Sequence, residues 1–115
     1  MKVTLESPDA KNTAVHAQSL RRIRNSMRSL SWLVLRAKVK LTEVDGTPPG
    51  SIDKRCEVEL ITGEGSPVVV TSLARDFHSA MQSALARASR SLLHRWQQEH
   101  THAGAQGLSR RLANA

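Results

Sequence analysis

The amino-acid sequence predicts an α+β fold of element order β-α-β-β-β-α, a four-stranded mixed sheet with two helices packed on one face. Three observations carry the prediction. Segments 32–44 and 54–62 alternate apolar and polar residues with the period of a half-buried strand. Two longer stretches, 13–30 and 77–98, repeat apolar residues at the 3.6-residue period of a helix. DGTPPGSID at 45–53 and GEGSP at 63–67 hold the Gly and Pro of loops and turns between the later strands.

KVTLE, residues 2–6, reads as a short first strand with Val3 and Leu5 on one side and Lys2 and Thr4 on the other. Ser7, Pro8 and Asp9 end it. The first helix runs from about Thr13 to Leu30, capped by Asn12 or Thr13, with Val15, Leu20, Ile23, Met27 and Leu30 as its apolar stripe. In the second strand, Leu33, Leu35, Ala37, Val39 and Leu41 are assigned to the inner face. Val34, Arg36, Lys38, Lys40 and Thr42 are assigned to the outer face. In the third, Cys56, Val58 and Leu60 point inward and Arg55, Glu57 and Glu59 outward, the two glutamates opposite the cations of the second strand. VVVTSL, residues 68–73, is the fourth strand.

Asp76 reads as the cap of the second helix, whose stripe is Phe77, Ala80, Met81, Ala84, Leu85, Ala88, Leu92 and Trp96. The pattern fades after Gln98, so residues 1–98 are expected to form one domain and 99–115 a mobile C-terminal tail. Each helix has one apolar stripe and each strand one apolar face, which favours both helices on one side of one sheet. A right-handed crossover makes the first two strands parallel, and the last three form an antiparallel meander.

Charge bounds the partners. The 115 residues carry a formal net charge of +7 and a pI near 10.8, with 39% hydrophobic residues, so the chain is basic and globular. Nucleic acid is the first candidate partner and an anionic membrane surface the second; a basic surface kept for solubility is the plain alternative. No apolar run approaches the ~20 residues of a membrane span, and MKVTLESPDA lacks the apolar core of a signal peptide. A cytoplasmic protein is expected. The single cysteine, Cys56, leaves no partner for an intramolecular disulfide. The aromatics are Trp32, Phe77 and Trp96 alone, which favours contact with phosphates and folded RNA shape over stacking of single-stranded bases.

No catalytic set emerges. His16, His78, His94, His100 and His102 have no consistent acidic or cysteine partner in sequence. Cys56 sits at an inward strand position, where a buried structural thiol is expected. GEGS lacks the spacing of a phosphate loop and precedes a strand. The helices are more informative. No Asp or Glu occurs from Ala10 to Thr42, where Arg21, Arg24 and Arg28 stand at i, i+3 and i+7; Arg22 lies beside the apolar edge. None occurs between Asp76 and Glu99, where Arg87, Arg90 and His94 repeat that spacing with Arg95 beside them. A surface helix ordinarily offsets such cations with carboxylates one turn away. Two acid-free ridges on neighbouring helices point to a polyanion, and arginines one turn apart suit successive phosphates.

IDKRCEVEL at 52–60, behind its Pro-Gly loop, resembles the third-strand signature of the ribosome hibernation promoting factors, also called ribosome-associated translation inhibitors. VKLTEVDG at 39–46 and VVVTSLARDFHSAMQSALARASRSLLHR at 68–95, with Asp76 four residues before Ala80, are similar to that family's pattern. The resemblance covers residues 1–98. It implies a double-stranded-RNA-binding-domain-like fold and an inhibitor that binds small-subunit rRNA and blocks the mRNA and tRNA channel without catalysis. It also implies rRNA contacts at Arg87, Arg90 and His94, with basic first-helix residues matched to Arg21, Arg24 and Arg28. No cofactor, metal, membrane or small-molecule substrate is implied, and the chain is expected to be a short form, monomeric off the ribosome. The alternatives are a protein-interaction regulator and a generic double-stranded-RNA binder on the same fold.

Overall fold

The computed structural model describes residues 1–8, 13–46, 48, 50–63 and 65–113, with side chains described as far as Glu99. The elements are β1 (Lys2–Glu6), α1 (Thr13–Met27), a 3-10 turn (Arg28–Leu30), β2 (Val34–Glu43), β3 (Lys54–Thr62), β4 (Val68–Ala74) and α2 (Phe77–Ala113). The strands lie side by side in chain order, β1 parallel to β2 and the remaining neighbours antiparallel. α1 packs on β1, α2 packs on β3 and β4, and the helices touch each other. This is the predicted α+β architecture.

The periodicities explain the packing. Leu5 of β1, Val39 and Leu41 of β2, Cys56, Val58 and Leu60 of β3 and Val68 of β4 are buried on one sheet face. Ile23, Met27 and Leu30 close over them from the first helical segment, and Ala80, Met81, Ala84, Leu85, Ala88 and Leu92 from α2, in a single cluster. Val15, expected in the α1 stripe, is exposed, and Leu20 is only partly buried. α1 is therefore docked mainly through its C-terminal half. The small side chains Ala80, Ala84 and Ala88 let the α2 backbone lie close to the sheet.

β2 departs from strict alternation at its start. Val34 pairs with Thr62 while Arg36 pairs with Ile61, so Leu35 is an extra residue on β2 and the strand bulges. A bulge shifts the pleat by one, so the faces assigned to Val34 and Leu35 are exchanged. Val34 is 2% exposed and Leu35 61% exposed. Val34→Asp is therefore expected to place an unpaired charge in the core and unfold much of the protein, whereas Leu35→Asp stays within about 0.5 kcal/mol of wild type, as surface changes do. Urea unfolding of the two variants checks this; the reverse order would mean that the strand is unbulged.

Asp76 caps α2 as expected. Its carboxylate accepts from the Ser79 backbone N–H at 2.7 Å and from the Ser79 hydroxyl at 2.9 Å. These bonds, the backbone one foremost, hold its carboxyl below the ordinary value of 3.8. A carboxyl depressed in the folded state stabilises above its unfolded value, and the contribution is lost as pH falls through the folded one. The melting temperature of wild type is expected to exceed that of Asp76→Asn at neutral pH, with the gap closing as acid takes the pH below 3.8. A gap independent of pH would rule out the charged cap.

The expected end of α2 at Gln98 is corrected: the helix continues to Ala113. The segment beyond Gln98 contains no proline to break the helix, and its Ala, Leu and Arg favour helix where apolar periodicity is absent, against the cost of Gly104 and Gly107. Asn12, and the side chains of His100, His102, Arg110 and Arg111, lie outside what is described. No described helix is long and apolar enough to cross a membrane.

Candidate nucleic-acid interface

Charge is segregated by layer. α1 contains no carboxylate, and α2 contains none before Glu99. The remaining acids lie on strands or between elements. Lys54 illustrates the other side of this division. It bridges Glu43 at 3.1 Å and Asp53 at 3.5 Å and stands 5.5 Å from the centre of the Phe77 ring. The Glu43 bond is the largest of the influences that raise its pKa. Lys54 is thus committed within the fold, while among the described residues no ion pair joins a cation of the helix layer to a carboxylate.

The predicted site residues fall into two groups. Arg21, Arg24, Arg28, Arg90 and His94 are exposed. No ion pair joins any of them to a carboxylate among the described residues. Arg28 reaches only Asn25 Oδ1, at 3.3 Å. Arg87 and Arg95 are engaged with β4 and the turn before it. Arg87 Nη1 donates to the Thr71 carbonyl at 3.0 Å and to Ser72 Oγ at 3.1 Å. Arg95 Nη1 donates to the Ser66 carbonyl. Arg87 covers a main-chain acceptor of β4, the edge strand of the described sheet, and Arg95 one in the turn before it. A guanidinium has five N–H donors, so both keep capacity for a ligand, but each also has a structural task.

The two ridges do not meet at the seam between the helices. The seam is a groove of about 210 Å³ lined by Arg22, Asn25 and Ser26 of α1 and His78, Gln82 and Leu85 of α2. Arg22 Nη1 lies 2.6 Å from His78 Nδ1 across it. Because an α-helix turns about 100° per residue, presenting Arg22 to α2 puts Arg24 on the far margin of α1 and leaves Arg21 facing away from the sheet, while Arg28 follows, exposed, in the 3-10 turn. On α2, Arg87 marks the margin over β4, and Arg90 faces away from the sheet. The helix layer therefore presents an outer surface with Arg21 and Arg90 across its breadth, Arg24 at one margin and His94 toward the other, and Arg28 exposed in the turn after α1.

Sequence spacing could not reveal the Arg22–His78 contact, since 56 positions separate the two. It also missed the junction after the 3-10 turn. There Trp32 donates its indole N–H to the Ser29 carbonyl at 3.0 Å and meets Trp96 edge to face, ring centres 5.4 Å apart. With Leu33, Leu35, Arg95 and Glu99, these rings line a cleft of about 360 Å³. The signal was present as two of three aromatics, but nothing in the spacing joins them.

The outer sheet face is mixed in charge. Lys38 lies across from Glu59 and Lys40 from Glu57, the register expected of cross-strand pairs. The one ion pair shorter than 4 Å on this face among the described residues is Arg55–Glu57, at 3.6 Å. Cys56 is buried, and desolvation pushes its thiol up to about 12, which leaves almost no thiolate at neutral pH. Among the described residues, no group of three or more His, Cys, Asp or Glu could hold a metal ion. No protein-family model matches the chain, and no curated protein matches it.

Proposed function

We propose that this chain is a ribosome-associated translation inhibitor, a hibernation factor that docks on the small ribosomal subunit through its helix layer. The observation that carries this reading is the exposed, acid-free surface of Arg21, Arg24, Arg28, Arg90 and His94. Arginine suits this work because its planar fork of donors grips phosphate oxygens and stays charged at any cellular pH. Folded RNA offers phosphates spaced across a groove, which a two-helix surface can span. The resemblance of 52–60 and its flanking strands to the translation-inhibitor family narrows the polyanion to rRNA. The mechanism is steric: the domain fills the channel of mRNA and tRNA in the cytoplasm, and Arg87 and Arg95 hold the β4 edge in shape while adding charge at the margin.

The test is sedimentation of the protein with purified ribosomes in a density gradient. Co-migration with the small subunit is expected at low salt, with affinity falling on the order of tenfold or more for a few-fold rise in salt, because several phosphate contacts release counterions. Absence of co-migration at low salt would exclude the reading. A generic double-stranded-RNA binder would instead hold free duplex as tightly as subunits. A second reading, a protein-interaction regulator, draws on the edge strand β4, where Val69 and Leu73 are 56% and 54% exposed beside the charged sheet face. It predicts that reversing charges on the helix layer leaves activity intact.

A further inference from the structure

We infer that the cleft between Trp32 and Trp96 receives one unpaired nucleobase of the RNA whose phosphates the helix layer holds. The inference rests on the polyanion reading above and names which part of a folded RNA enters. Trp32 is 65% exposed, an unusual position for an indole. It is also fixed. Its N–H is bound to Ser29 O at 3.0 Å, and Trp96 stands against it at an interplanar angle of 84°. A ring held in this way loses little freedom when a base stacks on it. The bulge turns Leu35 outward into the same cleft, whose volume of about 360 Å³ falls in the range of small-ligand sites.

Charge complementarity selects the occupant. Arg95 forms part of the wall, and Arg28 belongs to the 3-10 turn whose Ser29 carbonyl anchors the indole. An aromatic group carried on an anionic backbone uses both the rings and the cations. An apolar peptide side chain would use the rings alone. Glu99 is the one carboxylate in the lining, and it can accept hydrogen bonds from a base amino group. Stacking on a side chain tolerates any base, so the cleft recognises that a nucleotide is unpaired before it recognises which one.

Trp32 and Trp96 are the only tryptophans, so intrinsic fluorescence reports on this cleft alone. The probes are an RNA hairpin with a single extruded nucleotide and the same hairpin fully paired. The extruded hairpin is expected to quench the fluorescence and the paired one to bind without quenching. Trp32→Ala is expected to weaken binding of the extruded hairpin by about tenfold, the effect of losing one stacked base. Trp32→Phe should restore most of that affinity, and neither change should alter binding of the paired hairpin. A Trp32→Ala protein that binds both hairpins like wild type overturns the cleft and leaves the phosphate reading standing. Failure of wild type to bind either hairpin at low salt overturns the cleft, while co-sedimentation with small subunits decides the phosphate reading separately. Quenching by an apolar peptide, with none by the extruded hairpin, assigns the cleft to a protein partner and overturns the base.

Discussion

Arg21→Glu combined with Arg90→Glu is expected to weaken small-subunit binding by roughly 100-fold or more, since each charge-assisted contact is worth about 1.5–3 kcal/mol and every 1.4 kcal/mol is tenfold. The pair is chosen from the geometry. Both residues are exposed, they stand on different helices, and both face away from the sheet. Among the described residues, neither side chain makes a hydrogen bond or ion pair inside the fold, so reversal leaves the core and caps intact. Arg87 is the less suitable target despite its place in the ridge. Its bonds to Thr71 O and Ser72 Oγ would be lost with its charge, and weaker binding could then reflect a loosened β4 edge. The double variant should also lower the slope of log affinity against log salt by about two, one for each phosphate contact removed. Lys38→Glu with Lys40→Glu, on the opposite sheet face, is the control and should leave binding largely unchanged. Unchanged binding in the helix variant, with loss in the sheet variant, would move the site to the sheet and favour a protein partner or a different RNA face.

The element order was legible because each element buries a single face. Cys56, Val58 and Leu60 alternate in sequence and are all fully buried, and Ile23, Met27 and Leu30 keep helical spacing across the switch from α1 to the 3-10 turn. The bulge was not legible. Leu33, Leu35 and Ala37 make an unbroken alternating series in sequence, and only pairing with β3 reveals that Leu35 has no opposite number. The extent of α2 escaped for a related reason: periodicity marks where a helix is buried, not where it stops. For the site, the absence of acids was readable residue by residue. What each arginine does was not, because it depends on partners far along the chain. Arg87 and Arg95 turn to β4 and its preceding turn, Arg22 turns to His78, and Arg21 and Arg90 turn outward. A row of like charges at i, i+3 and i+7 thus divides into structural and available members only when neighbouring elements are in place.

Ile23→Ala is expected to be the most damaging single truncation in α1, costing about 2–5 kcal/mol, the range for deleting a large buried aliphatic side chain. Against a typical total of about 5–15 kcal/mol, that is a large share of the stability. Ile23 is 0% exposed, and α1 is held by few such residues: Ile23 and Met27, followed by Leu30 in the turn. Met27 has a second tie, since its sulfur accepts from Ser89 Oγ at 3.2 Å; Ile23 has packing alone. The loss should therefore concentrate in α1. In native-state hydrogen exchange, amides of α1 are expected to lose protection before those of β3, the central strand with neighbours on both sides. Ile23→Val, which removes one methylene, should cost about 0.5–1.5 kcal/mol and keep α1 docked. The row Arg21, Arg24 and Arg28 is presented only while α1 is docked, so Ile23→Ala should weaken subunit binding without removing a charge, and Ile23→Val should not. An Ile23→Ala protein with α1 exchanging freely, yet binding small subunits as tightly as wild type, would show that the α1 arginines lie outside the binding surface and leave Arg90 and His94 to carry it.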